Sequence, residues 1–167
     1  FPLSSKVTRI FVIDDHKIFR EGIELQMSYV DDVEVIGSYG TIRDSLTALT
    51  DLKPDLIVLD VHLPDGQGFS FHESAVELYG DDAPKVIYLT GDYAIANIYS
   101  AMRLGAMAYL DKTSGLSQLL DAIRRAGQGV RTLAPDLLKK FSQPSTVSPD
   151  KIELSTRESE ILNGLAM

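Results

Sequence analysis

A short apolar stretch that ends in a carboxylate constrains this chain more than any other feature. Four consecutive apolar residues, Leu56 to Leu59, run directly into Asp60, and a turn with proline and glycine begins at Pro64. Continuous apolar runs of this length are typical of strands buried on both faces, as in parallel sheets. Ligands bind outside the carboxyl ends of such strands. Asp60 is therefore predicted to lie at the mouth of a site, although a lone carboxylate there could also only organise the turn.

Strands and helices alternate along the chain. Predicted strands cover residues 8–14, 33–39, 56–59, 85–90 and 108–110. Predicted helices cover residues 16–29, 41–53, 69–79, 92–104 and 116–126. This alternation requires parallel strands with right-handed crossovers, and therefore a doubly wound α/β sheet with helices on both faces. We expect five strands in the flavodoxin-like order 2-1-3-4-5, which is adopted from known folds of this kind and is not specified by the periodicity.

Composition narrows the classes of protein that the chain can belong to. Its 167 residues can form one ordinary domain and a fragment of another. The net charge of −8 argues against a broad basic face that wraps nucleic acid. Without cysteine there are no disulfides or thiolate metal sites, which suits the cytosol. No apolar run reaches the ~20 residues that span a bilayer and no signal peptide opens the chain, so we expect a cytoplasmic protein without a membrane partner.

Carboxylates collect at the ends of predicted strands. Asp14 and Asp15 close the first strand and Asp60 closes the third, and these strands are neighbours in the expected order. Other acids that follow predicted strands are Asp65, Asp92 and Asp111. Three adjacent carboxylates resist ionising unless positive charge compensates them. Because Mg²⁺ prefers oxygen ligands and accepts carboxylates, the sequence predicts a magnesium site at Asp14, Asp15 and Asp60.

Two further strand ends carry groups suited to a phosphate. Thr90 ends the fourth strand with a hydroxyl, and Lys112 follows the fifth strand with an ammonium group. With the acidic cluster they form the equipment for phosphoryl transfer onto Asp60, which would attack in line. Each residue alone has a structural explanation, as a helix cap, a strand end or a surface lysine. Their joint occurrence at successive strand ends favours the functional interpretation.

Residues 7–127 closely resemble the receiver domain of two-component response regulators. The matching motifs are Asp14-Asp15-His16, Leu59-Asp60 with Leu63-Pro64 and Gly66 or Gly68, Leu89-Thr90, and Tyr109-Leu110-Asp111-Lys112. The resemblance implies that Asp60 accepts a phosphoryl group from a sensor histidine kinase or a small phosphodonor in a Mg²⁺-dependent reaction. It implies no enzymatic activity beyond self-phosphorylation and autodephosphorylation.

The resemblance also implies roles for neighbouring groups. The Mg²⁺ would be held by Asp14, Asp15 and Asp60 together with the backbone carbonyl of His62. Thr90 and Tyr109 would form a switch in which the hydroxyl turns toward the phosphoryl group and the aromatic ring follows inward. Activation would produce a homodimer, through either the first and last helices or the last two helices with the fifth strand. The sequence does not decide between these two surfaces.

A second domain is predicted to begin near the end of the chain. Ser155 and Glu158 have the spacing of a capping box before the apolar pair Ile161 and Leu162. This segment resembles the opening of the helix-turn-helix domain of the LuxR-type (FixJ/NarL) output class, which implies a transcriptional output. We expect a receiver over 7–127, a short helix and linker over 128–151, and an incomplete DNA-binding domain over 152–167. Because the DNA-reading helix is missing, promoter binding is expected only for a full-length protein.

Three residues near the predicted acceptor occupy variable positions of the receiver pattern or depart from it. His62 and Asp92 occupy the positions two residues beyond Asp60 and Thr90, which tune dephosphorylation in the family that the chain resembles. An acid at Asp92 would either position a hydrolytic water or repel an incoming phosphodonor. Gly91 should leave more room beside the phosphorylation site and make the loop looser.

The histidines are not expected to assemble a metal site of their own. His16, His62 and His72 have no ligand spacing. His62 is expected to be exposed to solvent, and His72 is expected to lie at the surface or at a packing boundary of the third helix. Arg124 and Arg125 are interpreted as a solvated helix face.

Two other functions stay open at this point. A phosphorylation-independent, receiver-like dimerisation module would keep the fold without the chemistry. A phosphatase of the haloacid dehalogenase class would use Asp60 as nucleophile, but it needs an acid two residues later, where His62 stands. A dinucleotide-binding fold is disfavoured, because Asp14-Asp15-His16 replaces the glycine-rich turn.

Overall fold

The parallel sheet expected from the alternating pattern is present. A computed structural model provides the structure and describes residues 6–133. The main strands are β1 (Thr8–Ile13), β2 (Val33–Tyr39), β3 (Leu56–Leu59), β4 (Lys85–Thr90) and β5 (Ala108–Asp111). The helices are α1 (Lys17–Met27), α2 (Ile42–Leu52), α3 (Gly68–Tyr79), α4 (Ile95–Arg103) and α5 (Leu116–Gly127). The expectations for the linker beyond residue 133 and for residues 152–167 lie outside the described residues.

The strand order is β2-β1-β3-β4-β5, and all of these neighbours are parallel. This order confirms the flavodoxin-like arrangement. A two-residue strand, β6 (Thr132–Leu133), lies beside β5, within the segment over 128–151 that was expected to hold a short helix and linker. The Thr132 N–H donates to the Met107 carbonyl at 2.8 Å. The described residues also include a short antiparallel hairpin between His62–Leu63 and Gly66–Gln67.

Helices cover both faces of the sheet. Alternate residues of β4 point to opposite faces, so Ile87 and Leu89 join the core that α1 and α5 cover. Tyr88 points to the other face, where the rings of Phe69 and His72 in α3 lie 5.4 and 5.7 Å from its ring. Burial of each large apolar side chain contributes about 1.5–3 kcal/mol, so the two cores together hold the strand ends in register.

Helix α1 carries two apolar stripes, and only one of them packs on the sheet. Ile23 and Met27 are buried, and Phe19 packs against the same core. Ile18 is 85% exposed and Leu25, seven residues later, is exposed as well. Positions separated by four residues share the inward face, whereas Ile18 and Leu25 lie outward together. Apolar spacing alone did not distinguish the two stripes.

The loop after β3 depends on close backbone contacts. A β-carbon on Gly68 would lie 2.2 Å from the Asp60 carbonyl oxygen, so a larger residue would displace the backbone there. The Gly68 N–H donates to the Val61 carbonyl at 2.6 Å. Asp65 caps α2 instead of joining the acids at the strand ends. Its carboxylate accepts the N–H groups of Ile42 and Arg43 at 2.9 and 3.0 Å. The bond from Ile42 leads the causes that lower the pKa of Asp65.

Candidate functional site

Backbone pairing places Asp14 and Asp60 side by side. The Asp14 N–H donates to the Tyr39 carbonyl and the Asp60 N–H donates to the Ile13 carbonyl, both at 3.0 Å. The hydrogen-bonded ladder therefore continues one residue beyond β1 and β3. Both carboxylates are buried, although the strands end at the edge of the sheet. Such burial requires nearby positive charge.

Four residues bring possible metal ligands together at this edge. One ligand atom each from Asp14, Asp15, His16 and Asp60 lies within 4.8 Å of the others. The three carboxylates predicted to cluster therefore do so. The His16 ring joins the carboxylates. Its Nδ1 atom lies 3.0 Å from Asp14 Oδ1 and 3.2 Å from Asp15 Oδ1.

Lys112 supplies the compensating charge. Its Nζ atom lies 2.7 Å from Asp14 Oδ2 and 2.9 Å from Asp60 Oδ2. The same atom lies 5.0 Å from the centroid of the Phe19 ring, a cation–π contact. Burial acts to lower the pKa of Lys112, but the hydrogen bonds with Asp14 and Asp60 outweigh it and raise the pKa above its ordinary value. The lysine is therefore charged and bridges the two buried acids.

Thr90 and Tyr109 both bond to the backbone of Asp92. Thr90 is buried, and its Oγ1 accepts the Asp92 N–H at 3.2 Å. The Tyr109 hydroxyl donates to the Asp92 carbonyl. The Tyr109 ring is buried and stacks on Tyr88 with centroids 5.8 Å apart, and burial raises the pKa of Tyr109. The ring thus occupies an inward position in this structure.

His62 and Asp92 meet across the loops that follow β3 and β4. His62 Nε2 lies 2.6 Å from Asp92 Oδ2. The His62 side chain is 59% exposed, as expected. The N–H of Ala94 leads the hydrogen bonds that lower the pKa of Asp92, followed by His62. The ligand role predicted for the His62 carbonyl stays a prediction. A β-carbon at Gly91 would meet nothing within 4 Å, so an alanine would fit at this position.

The expectation for His72 was wrong. This side chain is only 3% exposed, and its Nδ1 atom lies 2.8 Å from the Tyr88 hydroxyl. Burial lowers the pKa of His72 to about 4, so the ring is neutral at neutral pH. The helical spacing of Gly68, Phe71, His72 and Ala75, which form the buried face of α3, was a signal that could have located it.

Arg20 is a second group that the motifs did not single out. Its guanidinium donates to the Asp14 carbonyl, and its Nε atom donates to Ser38 Oγ at 2.9 Å. These contacts join the ends of β1 and β2 beneath the acidic cluster. Arg124 and Arg125 are exposed as expected, and they pair with Asp32 and Asp121.

The fold and the site define an α/β domain with acids, a lysine and a hydroxyl at the carboxyl edge of a parallel sheet. A profile described as the response regulator receiver domain matches residues 10–124. The response regulator protein VraR of Staphylococcus epidermidis is 32% identical over 156 residues, which cover 92% of this chain and 73% of that protein. The chain therefore belongs to the response regulator receiver family and is homologous to VraR.

Solved structures agree with this assignment. A LuxR-family two-component response regulator from Aurantimonas sp. SI85-9A1 superposes with a TM-score of 0.76 at 25% identity, covering 83% of this chain and 97% of that one. The receiver domain of the putative response regulator NarL from Mycobacterium tuberculosis has a TM-score of 0.68 at 27% identity, covering 74% and 98%. The likeness is consistent with two-component signalling and a DNA-binding output. Receivers are not a conventional enzyme family, so the phosphatase alternative has no support.

No helix among residues 6–133 combines the length and the apolar character needed to cross a membrane.

Proposed function

We propose that this receiver accepts a phosphoryl group on Asp60, from a sensor histidine kinase or a small phosphodonor, and thereby controls dimerisation and a DNA-binding output. One observation carries the proposal. The buried Asp60 carboxylate lies at the end of a central strand, 2.9 Å from the Lys112 ammonium and within the same cluster as Asp14 and Asp15. Lys112 therefore contacts both Asp60 and Asp14, and Asp15 lies in the same cluster.

Asp60 is the nucleophile in the proposed step. An Asp60 carboxylate oxygen attacks the phosphorus of the donor, a new O–P bond forms, and the bond to the leaving group breaks with its electron pair. Asp60 Oδ2 contacts Lys112, and Oδ1 faces the His62 N–H at 3.5 Å. Lys112 is placed to contact an oxygen of the transferred group, where its charge offsets the added negative charge.

The donor set suits Mg²⁺. Three carboxylates against one lysine leave an excess of negative charge, and carboxylate oxygens are hard ligands. Asp14, Asp15 and Asp60 would hold the ion together with the His62 carbonyl. Bound Mg²⁺ supplies the positive charge that neutralises the phosphoryl oxygens during transfer. Arg20 bonds to the Asp14 carbonyl and so supports the position of this acid from below.

The dimer that we propose uses α1 and α5. A groove of about 240 Å³ lies between these helices, and its lining includes Ile18, Leu116 and Lys112. A second copy of the chain would cover the exposed Ile18. Lys112 lines the groove and contacts Asp60, so phosphorylation of Asp60 would alter the lining of the groove through Lys112. The alternative surface on α4 exposes Tyr99.

Sedimentation after treatment with a phosphodonor distinguishes the two surfaces. Ile18→Asp should keep the protein monomeric, because a charge would be buried in the proposed interface. Tyr99→Asp should leave the phosphodonor-induced dimer intact. The reverse result would assign the interface to α4.

The transcriptional output is proposed for the full-length protein, acting in the cytoplasm through a LuxR-type helix-turn-helix domain. Homology to VraR and the likeness to a LuxR-family regulator support it.

Intact mass spectrometry tests the central proposal. Incubation with acetyl phosphate and Mg²⁺ should add about 80 Da, the mass of one phosphoryl group, as an acid- and base-labile adduct. Asp60→Asn should abolish the gain. Asp65→Asn is the matched control, because Asp65 lies in the same loop but caps α2. A gain that persists in Asp60→Asn would refute the assignment, and no gain with either a small donor or a kinase would favour the phosphorylation-independent module.

A further inference from the structure

A side-chain contact joins the two loops that flank Asp60. His62 follows the acceptor by two residues, Asp92 follows Thr90 by two residues, and their side chains meet at 2.6 Å. We infer that this pair, the His62–Asp92 strap, positions the hydroxyls of Thr90 and Tyr109 before any phosphoryl group is present. The inference rests on the proposed function and adds two positioning residues to it.

Asp92 is fixed from several sides. Its backbone N–H bonds to Thr90 Oγ1 and its carbonyl accepts the Tyr109 hydroxyl. Its Oδ1 accepts the Ala94 N–H at 2.9 Å, and its Oδ2 accepts the Asn97 amide at 2.8 Å as well as contacting His62. A carboxylate engaged in this way is poorly placed to activate a water. The contacts therefore favour a positioning role for Asp92 over activation of a hydrolytic water or repulsion of a phosphodonor.

The contact with Asp92 determines what the Thr90 hydroxyl can do. Its oxygen accepts the Asp92 N–H, so its own proton is left to donate elsewhere. An oxygen of a phosphoryl group on Asp60 is the acceptor that the proposed function supplies. Through its carbonyl, the same residue holds the Tyr109 ring in the inward position. One loop residue thus sets both hydroxyls.

His62 ties that loop to the acceptor loop. The Ala94 and Asn97 contacts attach Asp92 to the beginning of α4, whereas His62 attaches it to the segment that follows Asp60. Because the His62 side chain is largely exposed, the pair contributes little to global stability. Removing it should therefore loosen the position of Tyr109 without unfolding the domain.

Nitration with tetranitromethane, mapped by peptide mass, measures this directly in the absence of a phosphodonor. Tyr29, which is 75% exposed, serves as the reactive reference, and the buried Tyr88 reports unfolding. In the wild type, Tyr109 should be protected. In His62→Ala its nitration relative to Tyr29 should rise about two- to fivefold, the range expected when one partly exposed polar contact is lost. Tyr88 should stay protected.

Charge variants make the test specific. His62→Glu places a like charge beside Asp92 and should raise Tyr109 nitration further, whereas His62→Lys should restore protection. Arg124→Gln, which breaks the pair with Asp32 elsewhere on the domain, is the matched control and should leave Tyr109 protected. Unchanged nitration in both His62→Ala and His62→Glu overturns the inference. So does exposure of Tyr88 together with Tyr109, since that indicates general unfolding.

A second arm separates this inference from the proposed function. Acetyl phosphate and Mg²⁺ should restore protection of Tyr109 in His62→Ala, because a phosphoryl group would then hold Thr90. If Asp60 is not phosphorylated, adding the phosphodonor will not change Tyr109 nitration in His62→Ala. The comparison of the variants without phosphodonor still tests the strap. Phosphorylation without renewed protection of Tyr109 would contradict the link between the strap and the switch.

Discussion

Two groups of polar side chains are buried among the described residues of this domain. One group is charged and the other is neutral. At the carboxyl edge of the sheet, Lys112 stays charged between Asp14 and Asp60 at 2.7 and 2.9 Å. Beneath α3, His72 and Tyr88 form a neutral pair at 2.8 Å. Burial pulls the pKa of both basic groups downward. Only the pKa of His72 is lowered overall, because hydrogen bonds with Asp14 and Asp60 raise the pKa of Lys112 and keep it charged.

The difference shows how each environment decides whether a buried basic side chain keeps its charge. A buried charge is tolerated where an opposite charge lies within contact distance and the cluster opens at an edge. A buried histidine among aromatic rings gives up its charge and keeps one hydrogen bond. The first group is therefore suited to bind ions and phosphate, whereas the second is suited to hold a helix on a sheet.

The strongest test of the comparison removes the cation from the charged group. Lys112→Met leaves two buried carboxylates facing each other, and the free energy of unfolding should fall by roughly 3–5 kcal/mol at neutral pH. Mg²⁺ should recover part of the loss if it binds the carboxylates of the folded state. Urea denaturation with and without Mg²⁺ measures both effects. Lys17→Met, which removes an exposed lysine from α1, is the control, and equal losses in the two variants would contradict the account.

The neutral pair should make stability depend on pH. The pKa of His72 is about 4 in the folded state against 6.5 as the ordinary value. The unfolded chain therefore binds a proton first, so stability present above pH 6.5 is lost as the pH falls toward 4. The loss should amount to about 3 kcal/mol. Urea denaturation at several pH values checks it, and His72→Gln should flatten the curve in this window. A curve equally steep in His72→Gln would assign the dependence elsewhere.

Helix α3 begins beside Asp60 at Gly68 and carries His72, so it connects the two groups. A substitution at Gly68 tests how closely the backbone of α3 packs against Asp60. Gly68→Ala forces a β-carbon against the Asp60 carbonyl oxygen and should cost about 1–3 kcal/mol, with slower phosphorylation because Asp60 shifts. Gly91→Ala, on the other side of the site, places its β-carbon in open space and should be nearly neutral. Thermal unfolding of both variants gives the comparison. Equal effects in the two variants would contradict a specific clash with the Asp60 carbonyl.

The smallest expected effects come from the neutral pair itself. Tyr88→Phe leaves the buried His72 Nδ1 without its hydroxyl partner and should cost about 1–2 kcal/mol. His72→Leu leaves the Tyr88 hydroxyl unpaired and should cost a similar amount. The double variant removes both polar groups and should cost less than the sum, by denaturant unfolding of all four proteins. Strict additivity would show that the bond contributes nothing to folding.

Much of the site could be predicted because its residues sit at strand ends. Apolar runs located the strands, and in a parallel sheet their carboxyl ends share one edge, so Asp14, Asp60, Thr90 and Lys112 were expected together. The prediction for His72 was wrong because a polar residue on a helix is usually expected to be exposed. Its burial becomes apparent only when the whole buried face of the helix is considered. The outward stripe of α1 was not distinguished from the inward one, because apolar spacing does not show which face meets the sheet.

The sequence by itself determined the alternating elements, the strand-end acids and the resemblance to receivers, since these depend on local periodicity and on residue types at strand ends. Only the tertiary structure decided which side chains meet. His62 contacts Asp92 thirty residues away, and His72 contacts Tyr88 sixteen residues away. Such contacts depend on strand register and loop paths, which arise from packing of the whole domain and leave no local pattern in the chain.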